Sequence, residues 1–71
     1  MVILKEWEFI IIIIEKGDIY EGEWKNGKQE GKGIYYYNNG DREMGDYMND
    51  KKVGKHVTLS RKGDIKTYFY N

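Results

Sequence analysis

Short segments of apolar and polar residues, separated by glycines, run along most of the chain. The segments are rich in Ile, Val, Tyr, Phe and Trp, which suit a pleated, half-buried surface. No segment carries a convincing helical period. The pattern therefore predicts an all-β fold, a single-layer antiparallel meander of successive β-hairpins. We predict strands at residues 9–15, 18–24, 33–38, 41–47, 55–60 and 64–70, with a wide turn between the second and the third.

The start of the chain allows two interpretations. Residues 1–8 fit either an additional strand or a lead-in, whereas Phe9 to Ile14 is a continuous apolar run. That run is too short to cross a bilayer as a helix, which takes about 20 residues, and its charged flanks do not resemble a secretory signal. It is predicted to be a strand that is apolar on both faces. Either a missing repeat or partner meets it, or residues 1–8 fold back over it.

A repeat organises the sequence. The dipeptide Gly-Asp recurs with a fixed period, starting at positions 17, 40 and 63, and superposition of two periods aligns Gly22 with Gly45 and Trp24 with Tyr47. Such a period is typical of arrays in which each unit buries its apolar face against its neighbours. It predicts a scaffold or binding module. We divide the single domain, 1–71, into a partial unit 1–16, a full unit 17–39, a degenerate unit 40–62 and a truncated unit 63–71.

The regularly placed glycines suggest a register. Asn39-Gly40 is the dipeptide favoured in a two-residue type I′ turn, which would place Ile34 opposite Gly45. By the period, residues 16–17 and 62–63 should turn in the same way. Because opposed residues share a face, one face is expected to collect Phe9, Ile11, Ile13, Tyr20, Trp24, Ile34, Tyr36, Tyr47, Val57, Leu59, Tyr68 and Tyr70.

Composition narrows the function classes. Seventy-one residues form a small core, and the absence of Cys removes disulfides and thiolate metal sites. A formal net charge of zero argues against a dedicated nucleic-acid binder. With one His and one Ser, we expect no catalytic triad, no metal and no cofactor. His56 is expected to be a surface residue opposite Phe69.

Residues 51–71 are strongly basic, since they hold six Lys or Arg residues and a single acidic one, Asp64. One interpretation is a solvated face. The other is a patch for anionic lipid, where each basic side chain contributes about 1 kcal/mol. The candidate patch consists of Lys51, Lys52, Lys55, Arg61, Lys62 and Lys66.

Residues 20–33 resemble the MORN repeat (membrane occupation and recognition nexus), whose pattern is Y-x-G-x-W-x-x-G-x-x-x-G-x-G. The degenerate unit departs from that pattern at Glu43, Asp50 and His56, where the family has Tyr, Gly and Gly. Across both units the signature positions are Tyr20, Gly22, Trp24, Gly27, Gly31, Gly33, Gly45, Tyr47 and Gly54.

The resemblance implies an elongated single-layer sheet used in scaffolding, protein–protein interaction, dimerisation and anionic phospholipid binding. MORN arrays also occur beside separate catalytic domains, as in plant phosphatidylinositol phosphate kinases, or link membranes, as in junctophilins. We therefore expect a non-catalytic, intracellular, cytoplasmic scaffold that binds a protein partner. Self-association through open sheet edges is also expected. The alternatives are peripheral binding to an anionic membrane at its cytoplasmic face, and a regulatory appendage of a lipid kinase or methyltransferase encoded elsewhere. The expected protein contact surface comprises Phe9, Tyr20, Trp24, Tyr36, Tyr47, Tyr68 and Tyr70.

Overall fold

The computed structural model describes residues 7–71, which form one antiparallel sheet of six strands in sequential order. The predicted all-β meander of hairpins is confirmed. No helix within residues 7–71 is long and apolar enough to cross a membrane. Expectations for residues 1–6 lie outside the described part of the chain. The strands are β1 (Trp7–Ile13), β2 (Ile19–Lys25), β3 (Lys28–Tyr36), β4 (Arg42–Met48), β5 (Lys51–Leu59) and β6 (Ile65–Tyr70).

The strands β3 and β5 begin well before the predicted residues 33 and 55, because the turns that precede them are tight. Asn26 and Gly27 have φ values of 52° and 79°, and Asn49 and Asp50 have φ values of 50° and 68°. Two consecutive residues with positive φ are what a type I′ turn requires, and such a turn reverses the chain at once. β3 therefore starts at Lys28, and the wide turn predicted between the second and third strands is wrong.

The loop at Asn39-Gly40 contains three residues, so the predicted two-residue turn is wrong. The Tyr37 N–H donates to the Asp41 carbonyl at 2.9 Å, and the Gly40 N–H donates to the Tyr37 carbonyl at 3.0 Å. Only Gly40 in this loop has a positive φ, 99°. The Asn39 side chain accepts the Asp41 N–H at 2.9 Å, as Asn does in many turns.

A loop of three residues also occurs at residues 61–63, with the same hydrogen bonds, and at residues 15–17, where Lys16 as well as Gly17 has a positive φ. The hydrogen bonds that close them run from the Ile14 N–H to the Asp18 carbonyl at 2.7 Å and from the Ser60 N–H to the Asp64 carbonyl at 2.8 Å. All three predicted hairpin registers are therefore wrong by one residue.

This slip divides the predicted common face into two, because a one-residue shift in register reverses the face of every side chain. Ile34, for example, lies opposite Met44 and not Gly45. We call one side the aromatic face; its rings are Tyr20, Trp24, Tyr35, Tyr37, Tyr47, His56, Tyr68 and Tyr70. The other is the aliphatic face, formed by Phe9, Ile11, Ile13, Ile19, Ile34, Tyr36, Met44, Val57, Leu59, Ile65 and Phe69.

The repeat also appears in the irregularities of the sheet. The β2–β3 register shifts between Gly22 and Trp24, and the β4–β5 register shifts directly after Gly45. Each bulge contains a glycine with positive φ, Gly31 at 78° and Gly54 at 68°. These two glycines are one repeat period apart, so the two central hairpins share their distortion as well as their strands.

Candidate functional site

A row of rings crosses the aromatic face. The ring centroids of Trp24 and Tyr20 are 6.2 Å apart, those of Tyr20 and Tyr47 5.3 Å, those of Tyr47 and His56 5.4 Å, and those of His56 and Tyr70 5.0 Å. The last three contacts are edge-to-face, a geometry that contributes about 0.5–1.5 kcal/mol per pair beyond burial. The row joins strands β2, β4, β5 and β6 and forms most of the core.

Bare glycine backbone lies beneath two of these rings. A Cβ on Gly33 would lie 2.4 Å from Tyr20 Cε1, and a Cβ on Gly45 would lie 2.4 Å from His56 Cδ2. Tyr20 and His56 are both 0% exposed. The glycines therefore permit complete burial of a ring in a sheet that has a single layer.

A buried carboxylate, Glu43, stands beside the row and is only 3% exposed. Its Oε1 accepts hydrogen bonds from the Tyr37 hydroxyl and from Lys52 Nζ, each at 3.0 Å. Its Oε2 accepts from the Tyr70 hydroxyl at 3.0 Å and lies 3.0 Å from His56 Nδ1. We call these five residues the Glu43 cluster.

The Glu43 cluster contains two opposite charges, those of Glu43 and Lys52, which lie 3.0 Å apart. Desolvation acts against the ionised Glu43, but hydrogen bonds from Lys52 and Tyr70 outweigh it and lower the pKa of Glu43. The pKa of Lys52 is raised: burial opposes its charge, whereas hydrogen bonds to Tyr37 and Glu43 favour it. Both side chains are thus held in their charged forms. The carboxylate oxygens are occupied by donors, and the cluster fits a structural role better than a reactive one.

His56 is fully buried opposite Tyr68, so its predicted position on the surface opposite Phe69 is wrong. Its Nε2 lies 2.7 Å from the Asp46 carbonyl, which requires a proton on this nitrogen. Ser60 lies in the following turn, where its Oγ accepts the Asp64 N–H at 3.0 Å. The imidazole is thus anchored to the backbone through Nε2, whereas the buried Nδ1 lies beside the Glu43 carboxylate without forming a hydrogen bond.

The residues predicted as one contact surface lie on two faces. Tyr20 and Tyr47 are 0% and 4% exposed, so neither can meet a partner. Trp24 and Tyr70 are half-buried in the row of rings, and Tyr68 is exposed. Phe9 and Tyr36 lie on the aliphatic face. The prediction that these side chains share one surface is wrong, because the predicted register was one residue out of step.

The aliphatic face is the surface that sequence reasoning missed. Phe9, Ile11, Ile13, Ile65 and Phe69 are 66%, 65%, 78%, 68% and 77% exposed. At its centre, a shallow groove of about 350 Å³ runs over the strand backbone. The apolar side chains that line it are Phe9, Ile34, Met44 and Val57. A correct register would have revealed this face, since its residues alternate with those of the aromatic row.

The predicted basic patch is dispersed. Lys52 points into the Glu43 cluster, and its side chain is 29% exposed. Lys66 shares the aromatic face with Thr58, whereas Lys55, opposite Phe69, lies on the aliphatic face. Lys51 begins β5, whereas Arg61 lies in the loop beyond its far end. At about 3.3 Å per strand residue, those two are roughly 30 Å apart along the strand. The six side chains therefore do not form one surface.

Comparison with known proteins gives one family. Residues 20–42 match the family described as MORN repeat. No curated protein matches the sequence significantly. The matched segment contains β2, β3 and the three-residue loop that follows, and the packing of Tyr20 over Gly33 lies within it. Residues 20–42 therefore match a MORN repeat, in a sheet whose next hairpin reproduces the same bulge.

Proposed function

We propose that the chain is a non-catalytic repeat scaffold that binds the apolar side of an amphipathic segment of a protein partner on its aliphatic face. The MORN repeat at residues 20–42 supports a scaffold or binding module. The observation that carries the choice of face is the exposure of its large apolar side chains. Phe9 and Phe69, for example, are 66% and 77% exposed to solvent, although large apolar side chains are usually buried. Exposed apolar patches of this kind commonly mark interaction sites.

The central groove defines what the partner segment should look like. Its floor is apolar, whereas Glu21, Lys32 and Asp46 stand at its margin. Lys32 and Asp46 are a weak, exposed pair at 3.9 Å, and a partner can therefore compete for either charge at little cost. The fitting ligand is an amphipathic segment with apolar side chains toward Ile34 and Met44 and both charge signs along its flanks.

The test compares one variant on each face. A partner is recovered by cross-linking in cells, identified, and titrated against the wild type, Met44→Glu and Tyr68→Ser. Met44 is 39% exposed and Tyr68 44% exposed, so the two changes are matched in accessibility. Met44→Glu should weaken binding at least tenfold, because the groove would bury a carboxylate without a partner. Tyr68→Ser should bind as the wild type does.

Two results would oppose the proposal. Equal affinity for the wild type and Met44→Glu, with loss only in Tyr68→Ser, would assign binding to the aromatic face. Co-sedimentation of the wild type with acidic but not neutral vesicles, weakening with salt, would favour the membrane alternative.

A further inference from the structure

The outer edges of the sheet are complementary halves of one repeat junction. Shifted by whole repeat periods, β1 coincides with β3 and β5, the second strands of the two central hairpins. β6 coincides with β2 and β4, the first strands. Among residues 7–71 no strand pairs with the outer edge of either β1 or β6. The sheet thus ends in a first strand at one edge and a second strand at the other.

The register of that junction follows from the two examples within the chain. Ile19 is opposite Tyr36 in β2–β3, and one period later Arg42 is opposite Leu59 in β4–β5. One further period places Ile65 in the first strand. The partner of Ile65 in the missing second strand would lie one period beyond Leu59. Counting back three periods from that position gives Ile13, which a second copy can supply. The next alternate pair is Thr67 with Ile11 of that copy.

The side chains brought together in this register are the most exposed apolar groups of the two edges. Ile65 is 68% exposed and Ile13 is 78% exposed, and both lie on the aliphatic face. Phe69 and Phe9, at 77% and 66% exposed, would approach each other farther along the same junction. Their association would remove from water the apolar surface that each edge leaves open, which is the main favourable term in assembly.

An independent sign comes from the loop aspartates. Asp18 Oδ1 accepts the Asn38 N–H at 2.8 Å, and Asp41 Oδ1 accepts the Arg61 N–H at 2.8 Å. Each bond ties one three-residue loop to the next. Asp64 holds the same position in the third loop, and within residues 7–71 its carboxylate receives no such bond. The donors to Asp18 and Asp41, Asn38 and Arg61, are one repeat period apart. The residue equivalent to Asn38 one period earlier is Glu15, so the N–H of Glu15 in a second copy is the donor expected for Asp64.

We propose that the chain associates head to tail with further copies of itself, β6 of one copy pairing with β1 of the next in the register of β2–β3. The contact is heterologous, so every oligomer keeps one open β1 edge and one open β6 edge, and the assembly grows beyond a dimer. It is distinct from the binding of another protein at the central groove.

The test uses edge variants that cannot pair with themselves. The wild type should increase in mass with concentration, by sedimentation or light scattering, past twice the 8.5 kDa of one chain. Ile13→Lys blocks β1, and Ile65→Lys blocks β6; each alone should remain monomeric. A mixture of the two should form a 1:1 dimer and stop there, because each variant supplies the edge that the other has lost. Circular dichroism of each variant, at two highly exposed positions, verifies folding.

Asp64→Ala supplies a second variant. It should weaken the assembly severalfold while the monomer unfolds at the same denaturant concentration as the wild type. A wild type that stays monomeric at every concentration would overturn the proposal. So would a dimer that survives in Ile65→Lys alone or in Ile13→Lys alone, since either result indicates pairing of like edges. No change in mass on mixing the two variants would also overturn it.

Discussion

The two central hairpins solve the same packing problem with different residues. In β2–β3 the ring comes from the first strand, where Tyr20 covers Gly33 of the second. In β4–β5 the ring comes from the second strand, where His56 covers Gly45 of the first. One period on, Glu43 takes the position of Tyr20, and His56 takes the position of Gly33. Each hairpin needs one ring over one bare glycine, and the strand that supplies the ring can change.

The exchange alters the electrostatics of the hairpin. Tyr20 makes one neutral hydrogen bond, from its hydroxyl to the Glu23 carbonyl at 2.8 Å. Glu43, at the equivalent position, is a buried charge that Lys52 and two tyrosines must satisfy. Removing one partner of such a pair is costly, although the intact pair adds little net stability. The degenerate hairpin is thus more sensitive to loss of a single side chain than its composition suggests.

The largest expected effect is that of Tyr20→Ala. Truncation of a buried aromatic residue costs about 3–5 kcal/mol, which approaches the whole stability of a domain this small. Chemical denaturation followed by circular dichroism should show a chain that is largely unfolded at room temperature. The control is Tyr36→Ala, a partly exposed ring on the aliphatic face, which should remain folded. Equal losses in the two variants would show that the aromatic row is not the core.

An exchange of residues tests whether the two hairpins are equivalent. His56→Gly should cost roughly 2–5 kcal/mol, because it opens a cavity over Gly45. Glu43→Tyr should cost about 3–5 kcal/mol, because the new ring would meet His56 and Lys52 would lose its buried partner. The double variant restores the pattern of Tyr20 and Gly33. Its loss should be smaller than the sum of the single losses by about 0.5–3 kcal/mol, measured by denaturation. Additive losses would mean that the hairpins are not interchangeable.

The smallest expected effect is on how the stability of the fold depends on pH. The β4–β5 hairpin should lose stability in acid, through Glu43, and the β2–β3 hairpin in alkali, through Tyr20. The pKa of Glu43 is lower in the folded chain than its ordinary value of 4.5. Its contribution to stability is therefore complete above pH 4.5 and is lost as the pH falls through the lowered value. Burial, then Glu23 and Asp50, raise the pKa of Tyr20 from 10.0 to about 12. That contribution is complete below pH 10 and is lost as the pH rises toward 12.

Denaturation midpoints across a pH series measure both limbs. Glu43→Gln should flatten the acid limb, and Tyr20→Phe should flatten part of the alkaline limb. An unchanged acid limb in Glu43→Gln would show that other carboxylates control acid unfolding.

The sequence predicted the sheet but not its register, and two Asn-Gly pairs explain why. Asn39-Gly40 was expected to form the type I′ turn, yet this turn lies at Asn26-Gly27. The dipeptide suits both kinds of loop, since a glycine with positive φ occurs in each. At Asn39-Gly40 the three-residue loop is accompanied by a hydrogen bond from the Arg61 N–H to the Asp41 side chain, which ties it to the next loop. Such contacts join loops that are distant in sequence and leave no local signal in the pattern.

The functional surface was misplaced for the same reason. A register error of one residue merged Trp24 with Ile34, which the sheet places on opposite faces. The Glu43 cluster was also hidden, because Glu43 and His56 looked like losses of the repeat pattern. Only the structure shows that the two replacements belong together, since Glu43 Oε2 and His56 Nδ1 lie 3.0 Å apart.

All the main strand contacts are between neighbours in sequence, from β1–β2 to β5–β6. Within residues 7–71, a pulling force would therefore meet backbone ladders only between adjacent strands, with side-chain contacts such as Tyr70–Glu43 reaching one strand farther. The outermost strand would detach first, when its hydrogen bonds to the neighbouring strand break. That neighbour would then be the edge strand and would detach next. Mechanical resistance is thus set by a single hairpin and not by the length of the array.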